Sequence, residues 1–213
     1  MDLLLKISRY DPQKDSSSYF HEFMVSIEEN RTVLDALLLA WEQDPTLSFR
    51  RSCRSAICGS CAILINDRPA LACQTLIRKV SPDGASLTLA PLPHFSQIKD
   101  LVIDLEPLFE SLKAAVPWLL LNGEYDGRME PQTVAKIENP ATCILCGICQ
   151  ADLPNADVKP AGVVKALRFA LDPRDSLGRH RLRLLQLPPE VLSLFMKQLP
   201  GTCPKGIDIG LTL

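Results

Sequence analysis

The stretch Cys53-Arg-Ser-Ala-Ile-Cys58-Gly-Ser-Cys61, with a further cysteine at position 73, decides the fold of the first half of the chain. Four residues separate the first two cysteines, two separate the next pair, and eleven lead on to Cys73. A 2Fe–2S cluster requires four thiolates, two for each iron, and the first part of this spacing matches the plant-type ferredoxin pattern. A structural zinc ion and two disulfides are the alternatives, although zinc sites usually pair their cysteines more evenly. The spacing therefore predicts a 2Fe–2S site.

Two groups of basic residues accompany the cysteines. Arg50, Arg51 and Arg54 crowd the first cysteine loop. Positive charge there would form a docking surface or tune a reduction potential, and a solvated basic rim is the equal alternative. The run from Arg179 to Arg183 is interpreted as a solvated face, with contact to a partner or to anionic lipid as the alternative.

No residue of the chain is assigned a catalytic role.

A second cysteine set begins with Cys143-Ile-Leu-Cys146-Gly-Ile-Cys149. This is the bacterial ferredoxin run through its third cysteine, and a fourth cysteine followed by proline normally comes next. Here Leu153-Pro154 occupies that place, so the proline remains and the thiol is absent. The remote Cys203 can complete the set. We therefore predict a 4Fe–4S cluster held by three local ligands and one distant ligand, with a four-cysteine zinc site as the alternative.

Hydrophobic periodicity divides the chain into two parts. Predicted strands cover residues 3–9, 21–28, 62–66 and 87–90, with a helix over 33–41 that Thr32 can cap. After Pro91 the pattern becomes helical, with predicted helices over 98–115, 131–137, 161–171 and 189–198. We expect an α+β fold. An N-terminal β-grasp, 2Fe–2S ferredoxin-like domain over residues 1–95 precedes a C-terminal α-helical, ferredoxin-like 4Fe–4S domain over residues 96–213.

Composition limits the classes of function that fit. The chain has 213 residues, a formal net charge of -2 and 46% hydrophobic residues. This charge argues against nucleic-acid binding and against a polybasic membrane anchor. No apolar run reaches the roughly 18 residues of a membrane span, and the N-terminus lacks the features of a signal peptide. We expect a cytoplasmic protein, with peripheral attachment to the inner membrane through partner subunits left open.

The sequence resembles the iron–sulfur subunits of succinate dehydrogenases and fumarate reductases. The matching blocks follow the order found in that family and cover nearly the whole chain. They are Cys53 to Cys61, Pro91-Leu-Pro-His-Phe with Ile98 to Asp104, Pro117-Trp-Leu-Leu, Cys143 to Cys146, Pro160-Ala-Gly, Arg168-Phe with Asp172 and Arg174-Asp175, and Cys203-Pro-Lys-Gly.

This resemblance implies a role in electron transfer. A flavoprotein partner would oxidise succinate or reduce fumarate at a covalent FAD, so the chemistry on the substrate would belong to that partner. The N-terminal cluster would take electrons singly from the flavin, and the helical domain would pass them on toward a quinone. Membrane-anchor subunits or other electron-accepting subunits would complete the complex.

The chain departs from the family at one cluster. The family's 3Fe–4S cluster uses three cysteines, whose places here fall at Leu153 and at or near Ser193 and Leu199. We therefore expect no 3Fe–4S cluster. The segment between Leu153 and Pro160 is also shorter than in the family and has no tryptophan, which puts direct quinone reduction in doubt. The alternatives are a subunit of another flavin-linked dehydrogenase with a non-quinone acceptor, and a non-redox structural paralogue that binds zinc.

Overall fold

The computed structural model describes residues 1–121, 123, 128–153, 160–186 and 188–208, and these form two compact units. The first unit contains Met1–Asp104 and Cys146–Asp152, and the second contains Leu105–Leu145 and Leu153–Leu213. The strands are β1 (Asp2–Arg9), β2 (Tyr19–Ser26), β3 (Ala62–Ile65), β4 (Arg68–Leu71), β5 (Ser86–Ala90), β6 (Gln97–Lys99) and β7 (Val102–Ile103). The helices are α1 (Val33–Gln43), α2 (Ile77–Val80), α3 (Glu106–Ala114), α4 (Pro131–Ala141), α5 (Ile148–Ala151), α6 (Pro160–Ala170), α7 (His180–Leu184) and α8 (Pro189–Thr202). This order of a sheet followed by helices confirms the predicted α+β class.

The first unit is built on a five-stranded sheet in the order β2-β1-β5-β3-β4. The first strand pairs antiparallel with β2 and parallel with β5, while β3 pairs antiparallel with β5 and β4. Alternate residues of β1, which are Leu3, Leu5 and Ile7, are fully buried, as the two-residue period of a strand requires. A capping box starts α1, because the N–H of Asp35 donates to the Thr32 hydroxyl and the Thr32 N–H donates to the Asp35 carboxylate.

The segment that contains β6 and β7 corrects the sequence prediction. The sequence predicts one helix over residues 98–115, whereas the structure has a hairpin followed by α3, which begins only at Glu106. Asp100 explains the difference, since it is 1% exposed and has a left-handed backbone with φ 45°. Its carboxylate accepts hydrogen bonds from Arg9 Nε and from the N–H groups of Tyr10 and Ser48, at 2.8–3.0 Å. These distant contacts outweigh the local helical pattern.

The second unit is centred on α6, which packs against α3, α4 and α7. Gly162 lies on α6 where this helix approaches α3. A Cβ atom at this position would lie 2.8 Å from the backbone oxygen of Ser111. The close approach of the two helices therefore requires a residue without a side chain. Along the described residues, no helix is both long and apolar enough to cross a membrane.

A buried ion pair fixes α7 in the second unit. Arg181 is fully buried and pairs with Asp175, whose side chain is also fully buried. The same guanidinium donates to the backbone carbonyls of Ala115, Val116 and Trp118. The solvated-face interpretation of the basic run is therefore wrong at its central arginine, because a buried charge needs a charged partner and hydrogen-bond acceptors, and this one has both.

Candidate iron–sulfur sites

The first cysteine loop is anchored at its base by a cluster of ion pairs. Arg9 donates from Nε to Asp100 at 3.0 Å and from Nη1 to Asp44 at 2.6 Å. Asp100 also accepts the N–H of Ser48, which lies five residues before Cys53. Hydrogen bonding to the Arg9 guanidinium holds the pKa of the Asp44 carboxyl well below its ordinary value, so this carboxyl stays ionised at neutral pH. The fold thus fixes the chain that leads into the cysteines.

Backbone N–H groups converge on the sulfur of Cys53. The donors, at 3.3–3.4 Å from Cys53 Sγ, are the N–H groups of Ser55, Ile57 and Cys58. Alternate residues of this loop have left-handed backbones, with φ 55° at Arg54 and φ 54° at Ala56. Concave runs of N–H groups of this kind favour anions. The loop is therefore arranged to stabilise negative charge on sulfur.

The hairpin of β3 and β4 explains the eleven-residue gap between the third and fourth cysteines. Cys61 precedes β3, Cys73 follows β4 after one residue, and the register pairs Ala62 with Leu71. The hairpin therefore returns the chain to its start, where the N–H of Ala72 donates to the carbonyl oxygen of Cys61 at 3.1 Å. The thiols of Cys61 and Cys73 lie close enough to affect the pKa of Cys61.

The thiols of the first set have contrasting environments. Cys58 is exposed, and its hydrogen bond with the Ser60 hydroxyl lowers the pKa of its thiol to about 6. Cys61 is buried, and this burial raises the pKa of its thiol to about 12, with the neighbouring Cys73 adding to the effect. Removing the proton from a buried thiol requires a compensating positive charge, which ligated iron supplies. The donor set of the four thiols fits a 2Fe–2S cluster.

The three arginines of this loop differ in their contacts. The guanidinium of Arg51 stacks over the rings of Trp41 and Phe49, at 5.2 and 5.1 Å. Arg54 is exposed. Arg50 Nη1 is buried and has no hydrogen-bond partner among the described residues. Buried guanidinium nitrogens usually have an acceptor, and the described residues supply none for this one.

Two members of the second cysteine set, Cys143 and Cys203, belong to the second unit. Burial raises the pKa of the Cys143 thiol, the positive charge of Lys165 acts against this rise, and Cys203 adds to it. The thiols of Cys143 and Cys203 therefore lie within electrostatic reach of each other. The sequence reasoning did not identify Lys165, because its neighbours in sequence carry no signal of this contact.

The second cysteine loop also uses left-handed backbone. Leu145 has φ 57° and Gly147, which precedes α5, has φ 78°. A left-handed backbone is unusual for a bulky side chain, and the Leu145 N–H hydrogen bonds the Cys143 thiol and lowers its pKa. All eight cysteines of the chain are free of disulfides. Within the described ranges, no three or more His, Cys, Asp or Glu side chains are arranged to hold a single metal ion.

The three positions expected in place of 3Fe–4S ligands have apolar or exposed side chains. Leu153 and Leu199 are 3% and 2% exposed. Ser193 is exposed on α8. Residues 154–159, on which the prediction of a shortened segment rests, lie outside the described residues. Neither leucine side chain offers an atom that binds iron.

Known proteins with similar sequences are iron–sulfur subunits. Residues 4–110 match the family described as a 2Fe–2S iron–sulfur cluster binding domain. The chain is 34% identical to the fumarate reductase iron–sulfur subunit of Haemophilus influenzae, over 96% of this chain and 87% of that protein. It is 35% identical to the mitochondrial succinate dehydrogenase (ubiquinone) iron–sulfur subunit 1 of Oryza sativa, over 95% and 76% of the two chains. The identity to the succinate dehydrogenase iron–sulfur subunit of Coxiella burnetii is 31%, over 97% and 92%.

A solved structure supports the fold. A chain of the Mycobacterium smegmatis Sdh1 complex in the apo form matches with a TM-score of 0.82 and 24% sequence identity. The match covers 98% of this chain and 90% of that chain. Both the sheet-based unit and the helical unit are thus part of a known architecture.

Proposed function

Because this chain belongs to the family of succinate dehydrogenase and fumarate reductase iron–sulfur subunits, and is thus an electron-transfer subunit, we propose that it conducts electrons through two clusters. A 2Fe–2S cluster is held in the first unit, and a 4Fe–4S cluster follows it. The ligands of the first are Cys53, Cys58, Cys61 and Cys73, and those of the second are Cys143, Cys146, Cys149 and Cys203.

The arrangement around Cys53 is the observation that carries the first assignment. Three N–H groups already donate to its sulfur, and the β3–β4 hairpin brings the chain at Cys73 back to Cys61. Hydrogen bonds to cluster sulfurs favour the reduced, more negative form and raise the reduction potential. The loop therefore both holds the cluster and makes it a better electron acceptor. This property suits the cluster that accepts electrons directly from a flavin.

The buried leucines support the absence of a third cluster. Leu153 and Leu199 are almost fully buried, so each adds apolar surface to a core that a cluster ligand would otherwise line. Burial of such side chains contributes roughly 1.5–3 kcal/mol each, and replacing either with a polar ligand would lose that stabilisation. All three ligand positions have changed together, whereas the eight cysteines of the other two sets are intact.

The partners follow from the two ends of this path. Electrons enter from the FAD of a flavoprotein subunit that oxidises succinate or reduces fumarate. They leave from the 4Fe–4S cluster. The acceptor is not a quinone bound at this chain; it belongs to a membrane-anchor subunit or to another electron-accepting subunit. The complex lies in the cytoplasm or on the cytoplasmic face of the inner membrane, where this chain attaches through its partners.

A second candidate function keeps the same two clusters and changes the flavoprotein. The loss of the 3Fe–4S ligands at Leu153 and Leu199 removes the cluster that the family uses next to its quinone. A subunit of another flavin-linked dehydrogenase, with a non-quinone acceptor, does not need that cluster.

Purification of the native complex under anaerobic conditions tests the proposal. We expect a co-purifying flavoprotein, and we expect succinate to produce the EPR signal of a reduced 2Fe–2S cluster that fumarate then removes. A complex whose clusters respond to a different flavoprotein substrate would favour the second candidate. Zinc in the protein without inorganic sulfide would contradict both and support the non-redox alternative.

A further inference from the structure

Lys165 lies on α6, the central helix of the second unit, and reaches toward the second cysteine set. Its ammonium donates a hydrogen bond to the backbone carbonyl of Cys143 at 3.1 Å. The helix that carries it packs against α4, and Cys143 lies two residues after α4 ends. The packing of two helices thus fixes a positive charge beside one end of the second set.

The charge of this lysine is not neutralised by a carboxylate within the described part of the chain. No acidic side chain there lies within ion-pair distance of Lys165. Arg168, the other cation of α6, is in a different situation, because it pairs with Asp172 at 2.9 Å. The field of Lys165 therefore acts on its surroundings, which include Cys143, whose thiol pKa it lowers.

We propose that Lys165 is a positioning residue that sets the reduction potential of the 4Fe–4S cluster through its positive charge. This inference rests on the proposed function, because it requires Cys143 to be a ligand of that cluster. Reduction adds one electron, and hence one negative charge, to a centre that already carries the charge of four thiolates. A fixed cation nearby stabilises the reduced form more than the oxidised form. In a chain without a 3Fe–4S cluster, this effect falls on the cluster from which electrons leave.

The half-buried position of Lys165 strengthens its effect. Water screens charges less effectively in a partly buried site than on an open surface. The hydrogen bond to Cys143 also holds the ammonium in one place, so its distance from the cysteine loop is defined. A lysine on an open face of the same unit, such as Lys136 on α4, has neither advantage and provides a matched control.

A redox titration followed by EPR tests the inference on the purified complex. We expect Lys165→Gln to make reduction of the 4Fe–4S cluster about tenfold less favourable, which for one electron is a shift of about 59 mV toward negative potential. Lys165→Arg, which keeps the charge, should restore most of the original potential. Lys136→Gln should leave it unchanged. The 2Fe–2S cluster of each variant serves as an internal reference whose potential stays constant.

Four results would overturn the inference, and those that spare the proposed function are distinguishable from the one that refutes it. An unchanged 4Fe–4S potential in Lys165→Gln, with both clusters present, would refute the charge effect and leave the proposed function intact. Loss of the cluster signal in this variant, or a failure of Lys165→Arg to restore the potential, would show that the lysine supports the loop structurally. Absence of a 4Fe–4S signal from the unmodified complex would refute the proposed function, and this inference with it.

Discussion

The two cysteine sets are encoded differently in the chain. The first set spans only residues 53–73 and lies wholly within the first unit, where an ion-pair anchor and a hairpin shape its loop. The second set spans residues 143–203, and two of its members, Cys143 and Cys203, belong to the second unit. The first site is therefore encoded locally, whereas the second depends on how helices of the second unit hold Cys143 and Cys203. This contrast predicts that damage to the helical unit affects one cluster and spares the other.

Removal of single cysteines gives the largest expected effect. Cys61→Ala should abolish the 2Fe–2S signal with loss of about two irons per chain, and Cys203→Ala should abolish the 4Fe–4S signal with loss of about four. Each variant should retain the other cluster. Iron and sulfide analysis with EPR of the reduced protein measures both. Ser52→Ala, a change at an exposed residue in the same loop, should keep both clusters. Simultaneous loss of both clusters in either cysteine variant would mean that the two sites are not independent.

Disruption of the buried ion pair in the helical unit should give the next largest effect. Asp175→Asn leaves Arg181 buried without its counter-ion, and such a change costs about 3–5 kcal/mol. We expect the free energy of unfolding, measured with denaturant, to fall by that amount, and the 4Fe–4S signal to disappear at lower denaturant than the 2Fe–2S signal. Glu138→Gln, at an exposed position of α4, should change stability by less than about 0.5 kcal/mol. Equal sensitivity of the two clusters would contradict the comparison.

The stability of the helical unit should also depend on pH through Asp172. Hydrogen bonds from Arg174 and then Arg168 hold the pKa of this carboxyl well below its ordinary value, although burial acts in the opposite direction. A lowered pKa means that the stabilisation is complete above the ordinary pKa of about 4 and is lost as pH falls below it. The difference in unfolding free energy between the unmodified protein and Asp172→Asn should thus be greatest near pH 7 and shrink below about pH 4. Denaturant unfolding at several pH values measures it.

Iron–sulfur clusters also dissolve in acid, so the two proteins are compared only at pH values at which both retain their iron and sulfide. A gap between the two proteins that stays constant from pH 7 to pH 3.5 would show that Asp172 makes no pH-dependent contribution.

The smallest effect concerns the order in which thiols react when the clusters are removed. Cys58, with a thiol pKa of about 6, should be mostly thiolate at pH 7, whereas Cys61, with a pKa of about 12, should stay protonated. Iodoacetamide followed by mass spectrometry should therefore label Cys58 first. Ser60→Ala should slow this labelling severalfold because it removes the main cause of the lowered pKa. Labelling of Cys61 ahead of Cys58 would refute the described geometry of the loop.

Local sequence patterns predicted the parts of the fold that depend on near neighbours. The predicted strand at residues 3–9 corresponds to β1, and the predicted helix at residues 33–41 corresponds to α1. In each, the apolar positions repeat with the period of that element. The cysteine spacing predicted a 2Fe–2S site in the same way. The short elements β4, α2 and α7 were not predicted, because β4 contains a proline and the two helices have only two apolar residues each.

Contacts between distant residues explain what the sequence did not predict. The helix expected at residues 98–115 becomes a hairpin because Asp100 binds donors 52 to 91 residues away. Arg181 was interpreted as solvated because its basic neighbours suggested a surface, whereas its guanidinium donates to backbone carbonyls 63 to 66 residues away. The position of Lys165 beside Cys143 likewise results from the packing of α6 on α4. No period within a short window contains such information.

We propose that this subunit conducts electrons with two clusters and without a 3Fe–4S cluster. Iron and sulfide analysis of the anaerobically purified complex, combined with EPR in the oxidised and reduced states, tests it most directly. We expect about six irons per chain, two plus four, with reduced-state signals from two clusters and no 3Fe–4S signal after oxidation. About nine irons with an oxidised 3Fe–4S signal would show that other ligands hold a third cluster, and would contradict the account of Leu153, Ser193 and Leu199.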